Sequence, residues 1–367
     1  MMNLPEITDR LVALSRDLIL IPSTDSRPAE RSRAFSFFLN HLESLNAVKI
    51  QRHESGGYES LVALPEGCDR AEILMIGHLD VIEHPDLDLY RSRIEDGRLY
   101  GPGAGDMKGA LAIMLKLFCD LHREAPGIPL GMVVTSDEER GGEHGVGYLV
   151  RECGLSAAHA IVPDGGSLHD VTVEEKGIAH LKVVSRGSAS HAARPWLGEN
   201  AAARLTAGLA RLAEGFPIPT ETDHWKPTCS VTTLHTPNRT PNCIPDAAEA
   251  TIDLRFPAPH RLDGMLDRVR SLLGPDLAVE PMVTAEPSQL NPDPLWFEVT
   301  ERITGHPVRE VRASGGSDAR FLCDAGIQTI VSRPKVGALH APDEWIDIES
   351  MTTFYRIARE YVRLSIP

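Results

Sequence analysis

No apolar run in this 367-residue sequence approaches the length needed to cross a bilayer, which is ~18 residues. The opening Met1-Met2-Asn3-Leu4-Pro5-Glu6 has neither the basic region nor the apolar core of a secretory signal. The six cysteines (Cys68, Cys119, Cys153, Cys229, Cys243, Cys323) contain no C-x-x-C pair. Their scatter argues against a disulfide frame or a structural zinc site and fits small thiols in a reducing, cytoplasmic compartment. Positive charge is also short, since 37 Lys+Arg against 52 Asp+Glu leave a formal charge of −15. That balance disfavours duplex nucleic acid and anionic membrane surfaces, whose binding needs cationic side chains to displace counterions. A small anionic ligand stays compatible, because a local pocket can oppose the global charge. There is no internal repeat and no low-complexity segment. The glycine-bearing stretch 101–109 lacks the nucleotide signatures: Asp106 breaks G-x-G-x-x-G, and Lys108 is followed by Gly109 where a P-loop needs Ser or Thr.

What is present is ordinary globular composition, 42% apolar and 24% charged, in a chain long enough for about two domains. Apolar spacing predicts helices over 7–20, with Thr8 near the start as a candidate cap, and over 29–45. Short apolar runs at 60–64, 73–76, 130–135 and 160–162 read as buried strands, and Leu111, Met114, Phe118 and Leu121 share one helical face. Strands separated by helices predict an α/β domain with a mainly parallel, helix-covered sheet, whose ligands collect beyond the carboxyl ends of the strands. The middle third reads differently. Strand-like 180–184, helical 201–213, strand-like 230–234 and 250–254, helical 261–273 and strand-like 277–283 follow the β-α-β-β-α-β order of a ferredoxin-like α+β domain. The alternation resumes with 295–303, 327–331 and 348–364. The expected organisation is one α/β domain, 1–177 and 290–367, interrupted by an inserted domain at 178–289.

Chemistry-bearing residues stand just after these strand-like runs or in glycine-bearing loops. They are His78 and Asp80 in Gly77-His78-Leu79-Asp80, Asp106 in Gly105-Asp106-Met107-Lys108-Gly109, Asp137-Glu138-Glu139, Asp164 in Pro163-Asp164-Gly165, and His340 in Leu339-His340-Ala341. Singly, each has a bland reading as a turn, a helix start or a surface pair. Placed at successive strand ends, they converge on one sheet edge. So many carboxylates share a pocket only when cations neutralise them, because like charges repel and raise one another's pKa. Mixed imidazole and carboxylate donors suit zinc, cobalt or manganese. The set fits a two-metal centre with ions ~3.5–4 Å apart. Asp80 alternates with His78 along an extended segment and is better placed to orient that imidazole than to ligate. Glu138 and Glu139 are adjacent and cannot both address one atom, so one ligates while the other handles protons.

These segments resemble those of the M20 metallopeptidase family. The matching stretches are Gly77-His78-Leu79-Asp80-Val81, Leu99-Tyr100-Gly101-Pro102-Gly103-Ala104-Gly105-Asp106-Met107-Lys108-Gly109, Ser136-Asp137-Glu138-Glu139, Pro163-Asp164-Gly165, Gly315-Gly316-Ser317-Asp318-Ala319 and His340. They occur in the family's order over nearly the whole chain. The resemblance implies that His78, Asp106 and Asp164 hold one divalent ion and Asp106, Glu139 and His340 the other, with Asp106 bridging. Zinc is the first expectation, with cobalt or manganese compatible. It further implies Glu138 as general base and acid, Asp80 as the residue orienting His78, and a cis peptide at Asp106–Met107. In the inserted domain, His191 resembles a lid histidine that reaches a neighbouring subunit's site and stabilises an oxyanion. Asn242 and Arg255 resemble groups that hold the substrate, Arg255 by gripping a carboxylate. Arg255 reads equally well as a strand-end arginine paired with a neighbouring acid.

The resemblance implies a cytoplasmic two-metal hydrolase that cleaves an amide bond of an N-acyl amino acid or small peptide, as a homodimer through the lid. Asp164 stands where the acetylornithine deacetylase and succinyl-diaminopimelate desuccinylase branch commonly has glutamate, so those two activities are not carried over. The competing reading is a non-catalytic, metal-dependent binding protein for amino-acid derivatives on the same fold. Glu138 discriminates between them, because metal binding alone has no need of it.

Overall fold

Runs too short and too apolar for helices make the centre of the first sheet. Leu130–Thr135, Ala71–His78, Ala157–Val162 and Gln328–Val331 lie side by side and parallel, and nearly every side chain along them is buried. The full order is Val48–Ser55, Tyr58–Pro65, Leu130–Thr135, Ala71–His78, Ala157–Val162, Gln328–Val331, Asp170–Glu175 and Ser288–Gln289, with Arg309–Ala313 also on Asp170–Glu175. The sheet is mixed and parallel only at its centre. Val48–Ser55 and Tyr58–Pro65 form an antiparallel hairpin, itself antiparallel to Leu130–Thr135, and Asp170–Glu175 closes antiparallel to Gln328–Val331. The 48–55 strand was not legible as a strand: Lys49, Arg52 and Glu54 are exposed along it, the charged dress of an edge strand.

The computed structural model describes residues 3–68 and 70–366, and its contacts divide the chain into two units. One comprises the chain through Val173, Gln289–Ala313 and the chain from Ser317 onward; the other is Glu174–Ser288 with Ser314–Gly316. In the first, Leu4–Ile19, Gly109–Glu124 and Ile348–Ser365 pack an apolar stripe against the sheet, with Leu11, Leu18, Leu111, Phe118, Trp296, Phe354 and Tyr361 in one core cluster. Each such side chain contributes roughly 1.5–3 kcal/mol on burial. Thr8 is not a cap. The first helix begins at Leu4 behind Asn3, and the Thr8 hydroxyl, inside it, donates to the Leu4 carbonyl (2.9 Å). None of the described helices is long and apolar enough to cross a membrane.

In the second unit Gly177–Arg186, Thr228–His235, Ala247–Phe256 and Leu277–Ala285 form an antiparallel sheet in the order Thr228–His235, Ala247–Phe256, Gly177–Arg186, Leu277–Ala285. With helices Ala201–Gly215 and Leu262–Leu273 between them, this is the ferredoxin-like arrangement. Side chains alternate along Ala247–Phe256 with strict period two, placing Ala250, Ile252 and Leu254 under Leu205, Leu209, Met265 and Val269.

Candidate metal centre

His78 is the last residue of a central parallel strand and is 1% exposed. Its Nδ1 donates to the Asp80 carbonyl (3.0 Å) and lies 3.5 Å from Asp80 Oδ1, which leaves Nε2 as the free donor atom. That nitrogen faces Asp106 Oδ1 at 3.1 Å, with Glu138 Oε2 and Asp164 Oδ2 each at 4.0 Å. The other Asp106 oxygen lies 3.3 Å from His340 Nε2, which is 3.2 Å from Glu139 Oε1. Asp106 therefore touches both imidazoles. The donor atoms fall into two groups, His78/Glu138/Asp164 and Asp106/Glu139/His340, each within 4.8 Å.

Each position follows from its local chain. Glu138 and Glu139 open a short helical turn after Leu130–Thr135, where adjacent side chains diverge, one toward each group. Asp80 Oδ2 accepts from Glu139 N (3.0 Å), and Asp137 Oδ2 accepts from His144 N and Gly145 N (2.8 and 2.9 Å), so both acids hold the chain that presents the glutamates. Asp164 follows strand Ala157–Val162, and Arg333 NH1 stands 3.6 Å from its Oδ1. His340 adopts φ +62, a left-handed conformation in which histidine is among the less disfavoured residues. The Asp106–Met107 peptide is cis. Gly103 takes φ +78, and a Cβ on Gly105 would lie 2.8 Å from Leu339 Cδ2 and 3.2 Å from the Trp345 carbonyl. The 101–106 turn thus presses directly on the segment that carries His340.

The electrostatics are those of a site with too little positive charge. Burial and the neighbouring Asp106 raise the Asp164 carboxyl well above its usual range. Burial raises Glu138 likewise, with Asp164, Asp318 and Asp106 adding to the shift against the opposing pull of His78. Burial also works to raise Asp106, but hydrogen bonds from His340 and His78 outweigh it and hold that carboxylate ionised. His340 is pushed up to about 10 by Asp106 and Glu139. Burial works to lower His78, but hydrogen bonds to Asp106 and Asp80 outweigh it and raise that imidazole well above its ordinary value. Nitrogen and oxygen donors in two His-plus-carboxylate groups, with no thiolate, fit zinc-like ions.

His191, Asn242 and Arg255 belong to the second unit. His191 pairs with Cys243 in a two-residue ribbon and its Nδ1 accepts from Ala193 N (3.1 Å); the backbone carbonyl of Asn242, next along, accepts from Ala192 N (2.8 Å). The Arg255 guanidinium is forked onto Asp253, at 2.7 and 3.1 Å, the pairing its strand-end position allows, and that acid also meets His180 (3.1 Å).

Three residues near the metal groups had no role assigned from sequence. Asp318 is 4% exposed with neither oxygen bonded among the described residues, and burial beside Asp137 pushes it up to about 7. Arg333 has a buried, unpartnered Nε among those residues. Glu344, 2% exposed, accepts from the backbone of the Asp106 turn. Asp318 lies in the 315–319 stretch that resembles the family, without a role read from it; Arg333 and Glu344 are one arginine and one acid among many, and only burial singles them out.

A model of Peptidase family M20/M25/M40 matches residues 74–364. A succinyl-diaminopimelate desuccinylase from a Caulobacter species is 30% identical, covering 93% of this chain and 92% of the relative. One from Parvibaculum lavamentivorans is 28% identical over 279 residues, 70% of each chain. Among solved structures, a tripeptidase from Staphylococcus aureus superposes with a TM-score of 0.77 at 18% identity, covering 98% of both chains, a likeness of fold.

Proposed function

The chain belongs to peptidase family M20/M25/M40, and from that premise we propose a two-metal hydrolase that cleaves the amide bond of an N-acyl amino acid or small peptide. The observation that carries this reading is the pair of His-and-carboxylate groups sharing one edge of the sheet, joined by Asp106 between both imidazoles. On this reading His78 and Asp164 would hold one ion, Glu139 and His340 the other, with Asp106 shared between them. Bound cations would supply Lewis acidity to the scissile carbonyl and make water easier to deprotonate.

The rest is done by groups of the chain itself. The Asp80 carbonyl fixes the proton of His78 on Nδ1 and so presents Nε2 toward the site. Glu138 takes the proton of the attacking water and returns it to the departing amine. A buried carboxyl raised well above the ordinary carboxylate range suits both directions of transfer. His191 is assigned to the developing oxyanion, and Asn242 and Arg255 to the substrate. Arg255 would serve by exchanging Asp253 for a substrate carboxylate.

The test is amine release from acetyl-, succinyl- and formyl-amino acids and dipeptides by zinc-reconstituted protein, with metal content measured in parallel. Glu138→Ala is expected to keep its zinc and lose 10²–10⁴-fold in kcat, the usual share of general acid–base catalysis. His191→Ala is expected to keep zinc and lose kcat also. Full turnover by Glu138→Ala would refute the mechanism. Two bound ions without turnover on any substrate would favour a metal-dependent binding protein. The desuccinylase relatives make succinyl amides the first substrates to try.

A further inference from the structure

Glu344 turns both carboxylate oxygens and its own carbonyl to one short stretch of backbone. Its Oε1 accepts from Gly105 N and Asp106 N, both at 2.8 Å, its Oε2 accepts from Gly103 N at 3.2 Å, and its own carbonyl accepts from Gly101 N at 3.0 Å. Pro102 has no N–H, and Ala104 N donates within the turn to Gly101 O (2.9 Å). Every N–H from residue 101 to 106 is thereby satisfied, and Glu344 takes all but one. The turn has no ladder or regular helix of its own here; a glutamate from 240 positions away supplies the acceptors.

The reason it can reach lies in a small sheet. Arg98–Tyr100 pairs antiparallel with Trp345–Asp347, Tyr100 opposite Trp345, so the chain leaving one strand runs beside the chain entering the other. The first carries Asp106 and the second His340. Glu344 is 2% exposed, and a buried carboxylate is tolerable only when hydrogen-bonded. Charge-assisted N–H···O⁻ bonds are about twice as strong as neutral ones.

We propose that Glu344 is a positioning residue for the metal centre, clasping the Asp106 turn to the His340 segment so that the two ligands meet at one ion. The assignment rests on the metal reading of the site and goes beyond it, because Glu344 points its carboxylate at backbone amides and offers no atom to a metal. Its role is to fix where Asp106 stands relative to His340, now 3.3 Å apart. Groups behind the ligands typically change metal affinity 10–100-fold when removed.

The experiment titrates zinc into metal-free wild type, Glu344→Gln and Glu344→Ala by calorimetry, at a temperature where circular dichroism shows each folded. Glu344→Gln is isosteric: it keeps one acceptor oxygen for Gly105 and Asp106 but turns an NH₂ toward Gly103 N. The expected order of zinc affinity in the weaker-bound step is wild type above Glu344→Gln above Glu344→Ala, the last 10–100-fold down. A purely structural role would lower the metal-free melting temperature and leave zinc affinity of the folded protein unchanged. If Glu344→Ala does not fold, the Gln variant decides. Wild-type affinity for two ions in folded Glu344→Gln overturns the proposal while sparing the metal reading. A wild type that binds no zinc overturns both.

Discussion

Gly105→Ala offers a direct test of how tightly the His340 segment sits on the Asp106 turn. The new methyl would lie 2.8 Å from Leu339 Cδ2, 3.0 Å from Val336 Cβ and 3.2 Å from the Trp345 carbonyl. Leu339 can rotate away. Val336 Cβ and the Trp345 backbone can yield only by moving the chain, because both lie on strands paired in the small sheet. Two opposed effects set the sign. Replacing glycine by alanine restricts the unfolded chain and stabilises by about 0.4–1 kcal/mol. Overpacking a closed interior costs about 1–3 kcal/mol. With a neighbour under 3.0 Å and backbone at 3.2 Å, the second wins, and a net loss of about 1–2 kcal/mol is expected. Gly264→Ala is the matched control, since that glycine lies on helix Leu262–Leu273 with nothing within 4 Å of the added Cβ. Helix propensity predicts a gain of about 0.5–1 kcal/mol there. Thermal melts of metal-free protein measure both, and zinc calorimetry should show weaker binding for Gly105→Ala alone. A neutral or stabilising Gly105→Ala with wild-type zinc affinity would refute the reasoning.

Two further outcomes concern the scaffold. Asp120 receives the buried hydroxyl of Tyr355 and the Lys116 ammonium, both at 2.5 Å. Tyr355→Phe should cost about 1.5–3 kcal/mol, as for a hydrogen bond to a charged group; Lys116→Met removes a part-buried i,i+4 pair while Tyr355 still donates to Asp120, and should cost less, about 1 kcal/mol. Melting temperatures that reverse this order would sink the ranking. His122 is 2% exposed, its Nε2 donating to the Leu130 carbonyl (3.0 Å), and burial lowers its pKa. Below the unfolded-state value of about 6.5 the unfolded chain takes up a proton that the folded one refuses, so stability falls with pH. Between pH 7.5 and 5.5 wild type should lose up to about 1.4 kcal/mol more than His122→Leu in urea melts. Parallel pH profiles for the two proteins would contradict the assignment.

Fold was legible where burial is one-sided or complete. The 130–135 run became a strand with those bounds, and 277–283 lies within Leu277–Ala285. The ferredoxin-like order appeared because its central strands Gly177–Arg186 and Ala247–Phe256 alternate and its helices carry a period of 3.6. The strand Val48–Ser55 escaped because an edge strand is dressed in charge. The antiparallel hairpin it makes is what turns a mainly parallel expectation into a mixed sheet. Thr8 misled for a related reason: a threonine near a helix start can cap it or bond back to the preceding turn, and Pro5 in the first turn decided for the latter.

At the site, what sequence order conveys is which residues follow strands or sit in glycine-bearing loops; His78, Asp106, Glu138, Glu139, Asp164 and His340 stand in two groups of donor atoms in the structure. It does not convey which carboxylate faces an ion and which faces backbone. Glu138 and Glu344 are chemically identical. Burial raises both, but one stands among Asp164, Asp318 and Asp106 while the other ends on three amide hydrogens that work to lower it. The difference arises from the pairing of Arg98–Tyr100 with Trp345–Asp347, a contact between chain segments 245 to 249 positions apart that no local pattern encodes. The surplus of acid has the same divided meaning. Part of it stands in the Asp106 groups, where the proposed cations would offset it. Part, in Asp80, Asp137 and Glu344, is spent on backbone N–H groups that would otherwise have no acceptor. A count of carboxylates therefore overstates the charge that metal must offset. If the division is right, removing Glu344 weakens zinc binding, although no ligand has been lost.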